Sequence, residues 1–128
     1  MIALDTNLWV RYLTNDDPKH AKQVVRILEE QQQVFLPKTV LLELEWVLRA
    51  VYRLRPDAIR RSLLQVLGLP NVLVEDPDQV ESAFKQYERG LDFADSLHMA
   101  ACAGMGFLSF DEEMIRKARR SGLDAALP

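Results

Sequence analysis

Four acidic residues of this 128-residue chain stand where chemistry tends to collect: Asp5, Glu43, Asp95 and Asp111. Asp5 closes a short apolar run, Met1-Ile2-Ala3-Leu4, that reads as a buried strand. Asp111 closes a second run, Phe107-Leu108-Ser109-Phe110, in the same way. Residues at the carboxyl ends of strands in α/β sheets face the crevice where ligands bind. Asp95 follows Asp92 by three residues at the start of an Ala-rich helix, the spacing of a reciprocal cap. Each acid also has a plain structural reading. Asp5 and Asp111 suit N-caps, each contributing about 1 kcal/mol. Glu43 suits a solvated helix boundary, about 100° to one side of an apolar stripe, with Glu45 about as far to the other side. Periodicity does not choose between those two. Gathered together, like charges raise one another's pKa and are costly unless a cation sits among them. An all-oxygen set suits Mg²⁺ or Mn²⁺. Such a site polarises a phosphodiester, lowers the pKa of a bound water and stabilises a leaving oxygen.

The elements that must position these acids follow from spacing. Leu8, Trp9, Tyr12 and Leu13 share one side of a short helix from Thr6 to Leu13. Asn15-Asp16-Asp17-Pro18 is a turn, with Asp17 capping a helix that runs to about Gln31 and turns Ala21, Val24, Val25 and Leu28 inward. Val34-Phe35-Leu36 is a strand. Val40, Leu41, Leu44, Val47, Leu48 and Val51 recur at three and four residues, an amphipathic helix. Leu42, Trp46 and Ala50 make its other side apolar too, which implies deep burial or a partner chain. Pro56 to Leu67 is a helix, Val72-Leu73-Val74 a strand and Pro77 to Tyr87 a helix. Asp92 caps a helix from Phe93 to Ala103 that Gly104 and Gly106 terminate. Its apolar neighbours imply a packed first turn, in which the Asp95 carboxylate needs a partner. A charged helix from Glu112 to Arg120 precedes a tail, Leu123 to Pro128, fit for an edge strand. Strands alternating with helices imply a parallel sheet covered on both faces. The expected fold is therefore a three-layer α/β/α sandwich with a short parallel sheet of four or five strands, in one domain over residues 1–128.

Composition narrows the function classes. Apolar residues at 48% and charged residues at 27% are a globular balance. A net charge of −3 leaves nucleic-acid binding to a local basic patch. One cysteine, Cys102, excludes an internal disulfide, and with only His20 and His98 there is no soft-metal cluster. Cys102 reads as a small buried apolar residue and His98 as a helix residue with a local hydrogen bond. No apolar run approaches the roughly 20 residues of a membrane span. With no basic-then-apolar amino terminus, a cytoplasmic location is expected.

With those residues laid out, the chain resembles a PIN-domain ribonuclease, and more narrowly a VapC-type toxin of a toxin–antitoxin pair. The matching pieces are Ile2-Ala3-Leu4-Asp5-Thr6-Asn7, Leu41-Leu42-Glu43-Leu44-Glu45-Trp46-Val47-Leu48, Asp92-Phe93-Ala94-Asp95-Ser96-Leu97 and Ser109-Phe110-Asp111, in the family's order over nearly the whole chain. The resemblance implies a catalytic quartet of Asp5, Glu43, Asp95 and Asp111, choosing Glu43 where the wheel does not. It implies that Asp5, Asp95 and Asp111 bind metal, with Glu43 acting directly or through water and Asp92 auxiliary. Thr6 or Asn7 would orient Asp5, and Ser109 stands where the family has Thr or Ser. It further implies a cytoplasmic Mg²⁺- or Mn²⁺-dependent endoribonuclease acting on tRNA or mRNA. A homodimer is implied as well, inhibited by a cognate antitoxin and reaching DNA only through it.

Contact candidates for RNA or antitoxin are Trp9, Trp46, Arg53, Arg60, Arg61 and Arg116, with Arg55, Lys117, Arg119 and Arg120 in the same two basic clusters and Tyr12 beside Trp9. The plain alternative makes the aromatic residues core and most of the arginines solvated. Two other functions compete. A haloacid-dehalogenase-type phosphatase also opens on a strand-end Asp but wants a second Asp two residues on, where this chain has Asn7. A non-catalytic PIN-like module that captures RNA or protein would have no use for four mutually repelling carboxylates.

Overall fold

The computed structural model describes residues Met1–Pro128, which form two compact units, Met1–Glu75 and Asp76–Pro128. In the first, β1 (Ile2–Ala3), β2 (Val34–Leu36) and β3 (Val72–Val74) form a parallel sheet in that order, with Ile2 opposite Val34 and Val34 opposite Val72. Val34 and Leu36 are fully buried on the central strand. The expected buried first strand is instead an edge: Met1 and Ala3 are exposed and only Leu4 is buried. A strand with one neighbour in its sheet covers less of itself than a central one.

Four helices cover this sheet's connections: α1 (Thr6–Thr14), α2 (Pro18–Glu30), α3 (Lys38–Ala50) and α4 (Pro56–Leu67). Their ends follow from side chains. Asp17 caps α2 by accepting from the His20 backbone N–H, with Pro18 in the first turn. The last carbonyls near the end of α2, Leu28 and Gln31, accept from the Asn71 amide at 2.8 and 3.0 Å. α3 begins after Pro37, which caps nothing; the Glu75 carboxylate accepts from the Lys38 N–H at 2.9 Å instead. Leu41, Leu44 and Leu48 face the core at full burial, each about 1.5–3 kcal/mol of apolar transfer. Two residues expected inward lie out: Val25 and Val51 are exposed, Val51 falling just past the end of α3. The C-terminus of α1 is clasped to the end of α3. Asp16 accepts from the Tyr52 hydroxyl at 2.6 Å and the Arg11 guanidinium at 2.8 Å, and these bonds lower its pKa to about 2.

The second unit holds α5 (Pro77–Glu88), α6 (Phe93–Ala101), β4 (Phe107–Leu108), α7 (Glu112–Arg120) and β5 (Ala125–Ala126). β4 and β5 pair in parallel, Phe107 opposite Ala125, so the tail adds the expected strand. The five strands are thus divided as three and two, in an α/β fold of helices with short parallel sheets. Leu91, Met99, Met114, Ile115, Ala118 and Ala125 form this unit's core, with Phe107 and Leu123 packed on it. Two boundaries differ from expectation. α6 stops at Ala101 rather than Ala103, and β4 is two residues rather than four, because its partner β5 offers only two residues to pair.

Candidate active site

Asp5 and Glu43 belong to the first unit. Asp5 ends β1 and is the N-cap of α1, its Oδ1 accepting from the Thr6 N–H at 2.8 Å. The carboxylate is exposed, and a cap uses only one of its oxygens. Thr6 meets Asp5 through this backbone N–H, while its side-chain Oγ1 is buried without a hydrogen-bond partner. Asn7 is exposed and lines a groove of about 410 Å³ between α1 and α2, shared with Leu8, Arg11, His20, Gln23, Val24 and Ile27. On α3 the two glutamates part company. Glu45 is 2% exposed and pairs with Arg49 at 3.1 Å, whereas Glu43 is exposed. Burial therefore commits Glu45 to structure and leaves Glu43 on the surface.

Asp92, Asp95 and Asp111 belong to the second unit and line one cleft of about 150 Å³, together with Leu91, Glu113, Met114 and Lys117. Two helices begin there. Asp92 caps α6 by accepting from the Asp95 N–H at 3.2 Å, and Asp111 caps α7 by accepting from the Met114 N–H at 3.0 Å. Ser109 Oγ accepts from the Asp111 N–H at 3.0 Å and so fixes the turn that presents Asp111. The reciprocal cap is only half made, since Asp95 donates its N–H while its carboxylate gives no bond in return. That carboxylate is partly buried and its pKa is raised. Desolvation is the largest cause, followed by the charge of Asp92, with a further contribution from Asp111; only His98 acts the other way. The positive ends of two helix dipoles favour negative charge here. Lys117 at the rim is the one cation, its ammonium donating to Gly90 O and pairing with Glu113, both at 3.3 Å. In neither unit do three or more His, Cys, Asp or Glu side chains gather at ligand spacing. In the cleft, Asp92 and Asp111 are each held by an N–H of their own helix.

A model of the PIN domain family matches residues 2–120, which runs through both units. The chain belongs to the PIN domain family. PIN domains are in general nucleases, and they typically use divalent metal ions. No curated protein matches the chain closely enough to count as a relative. No helix is long and apolar enough to cross a membrane.

The remaining contact candidates of this PIN domain divide by burial. Trp9 is a correction: it is fully buried, edge-on to Tyr12 at 6.2 Å, and offers no surface to RNA or to another protein. A Trp on the inner side of a nine-residue helix is core because α2 and α3 both pack on α1. Trp46 is half exposed and remains a surface residue. Arg53 is exposed in a left-handed backbone conformation at φ 53°, and Arg60 is half-buried on α4. Arg61 and Arg55 both pair with Asp57, at 3.4 and 3.6 Å. The second basic cluster is split by the turn of α7. Arg116 and Arg119 line a recess with Ala126 and Leu127, Arg119 donating to Ala125 O, while Lys117 lines the acidic cleft. Glu113 is the cleft acid that sequence reasoning did not single out, and Lys117 stood there only as a member of a basic cluster, not beside the acids. Their i, i+4 spacing and their offsets of two and six residues from Asp111 were the available signal.

Proposed function

We propose that this PIN domain is a metal-dependent endoribonuclease that hydrolyses phosphodiester bonds in tRNA or mRNA, the VapC-type toxin of a toxin–antitoxin pair. The observation that carries the reading is the one cleft that Asp92, Asp95 and Asp111 all line, in a chain of a nuclease family. Asp5 and Glu43 from the first unit and Asp95 and Asp111 from the second are assigned as the catalytic acids. Asp5, Asp95 and Asp111 would hold Mg²⁺, or Mn²⁺ in its place, with Glu43 direct or through water and Asp92 auxiliary. The donor set fits, being all oxygen and hard, with Asp95 destabilised as an anion by its surroundings. A bound divalent cation supplies Lewis-acid polarisation of the phosphodiester and a lowered pKa for water. The chain itself aims the carboxylates: the Thr6 N–H fixes Asp5, Ser109 fixes the turn before Asp111, and Asp92 fixes the first turn bearing Asp95. His98, exposed on α6, is not needed as a base.

The chain works as one domain over residues 1–128, in the cytoplasm. Its partners are RNA, a cognate antitoxin and a second copy of itself, with DNA reached only through the antitoxin. The α1–α2 groove, opening two residues after Asp5, and the exposed Trp46 support the protein partners. One observation favours a second reading, a PIN-like module that binds RNA or protein without cutting: no three acids stand at ligand spacing in either unit. Cleavage of total RNA and tRNA by purified protein with Mg²⁺ or Mn²⁺ decides between them. Cutting that is lost in EDTA and in Asp5→Asn supports the nuclease. RNA binding without cutting under either metal establishes the module. Asn caps a helix as well as Asp, so Asp5→Asn leaves thermal stability within a few tenths of a kcal/mol.

A further inference from the structure

We infer that Lys117 is a substrate-positioning residue of the acidic cleft, contacting a backbone phosphate of the bound RNA; this rests on the nuclease reading above. The cleft is lined by four acidic residues (Asp92, Asp95, Asp111 and Glu113) and one lysine. A phosphodiester brought to this recess meets the negative charge of these carboxylates. A fixed positive charge at the rim is what lowers that barrier to approach. Lys117 occupies that position, and its geometry keeps it available. Its ammonium is held by Gly90 O and Glu113, and by none of the three aspartates. An ammonium has three donors, so one remains for an oxygen brought by a ligand. The two tethers are weak, an exposed i, i+4 ion pair and one hydrogen bond to a backbone carbonyl, and the Lys117 side chain is 42% exposed. Held at the rim yet easily shared, the group suits a phosphate that arrives and departs with each turnover. No other lysine or arginine lines this cleft.

The test uses the full chain and a fluorescein-labelled single-stranded RNA of mixed sequence, with anisotropy read in EDTA so that nothing is cut. Each phosphate contact on a single strand contributes about 0.7 to the slope of log affinity against log salt. Lys117→Met should flatten that slope by about 0.7 and weaken binding roughly fivefold at 0.1 M salt. Lys117→Arg should restore both. In cleavage assays Lys117→Met should raise KM and leave kcat nearly unchanged, the pattern of lost uniform binding. Glu113→Gln separates this from a helix-staple role: it breaks the same i, i+4 pair yet should keep the wild-type slope. A wild-type slope in Lys117→Met, or a flattened one in Glu113→Gln, overturns the assignment while the nuclease reading stands. If the unaltered protein neither binds nor cuts RNA, both fall together.

Discussion

Asp95 is an acid of the cleft whose surroundings penalise its anion. Desolvation and the charges of Asp92 and Asp111 raise its pKa, so folding disfavours its anion relative to the unfolded chain. The sign follows from linkage. Because the folded pKa lies above the unfolded value of about 3.9, the associated stability is full below that pH and is lost as pH rises through the folded value. Metal-free Asp95→Asn should therefore melt at a higher temperature than wild type at pH 7, and should gain less on acidification. Its carboxylate accepts no hydrogen bond that the amide would forfeit. Asp16 has the opposite sign, because the Tyr52 hydroxyl first and Arg11 second hold it at about 2. Its contribution is present above about 3.9 and is lost as pH falls toward 2. Melting curves of Asp95→Asn and wild type in EDTA should thus be compared well above pH 4, where the Asp16 contribution is constant. A lower melting temperature for Asp95→Asn would contradict the account.

At the scale of elements, α3 presents Glu43, and a remote side chain sets where α3 begins. Pro37 cannot cap it, so Glu75 accepts from Lys38 across 37 residues of sequence. The helix is then seated by Leu41, Leu44 and Leu48. Leu44→Ala should cost about 2–5 kcal/mol in urea denaturation, the range for a buried leucine whose cavity does not collapse. Trp46→Ala, two residues on and half exposed, should stay within about 0.5 kcal/mol for the isolated chain. Equal costs at the two positions would mean that the buried side of α3 is not the one described. α7 makes the complementary point, since the rotation of about 100° between consecutive helical residues sends Arg116 and Lys117 to different recesses.

For the whole molecule, the proposed binding of a divalent cation by these acids should be coupled to stability. A ligand that binds only the folded chain adds RT ln(1 + [L]/Kd), about 2.7 kcal/mol at a hundredfold excess over Kd. Mg²⁺ or Mn²⁺ should raise the melting temperature of the wild type, and EDTA should return it to the metal-free value. Asp95→Asn, already relieved of its crowded charge, should respond little. An equal response in both proteins would remove Asp95 from the metal-binding set.

Much of this was legible in the sequence because it is written in short-range chemistry. Asp17-Pro18, Asp92 and Asp111 announce helix starts through their own backbone bonds, and all three cap as expected. The 3.6-residue spacing of Leu41, Leu44 and Leu48 marks a core face regardless of what it meets. The ordered acidic motifs pointed to the PIN family that the chain is found to belong to. Other features depend on neighbours that no local pattern encodes. Glu43 and Glu45 are equivalent on a wheel; only packing around α3 buries one and leaves the other exposed. Trp9 could be core or surface until α2 and α3 close over α1. The Glu75 cap on α3 and the placing of Lys117 in one recess with Asp92 and Asp95 join residues far apart in the chain. Propensity and capping act within a few residues, whereas burial and the field at a carboxylate are set by whatever the folded chain brings alongside it.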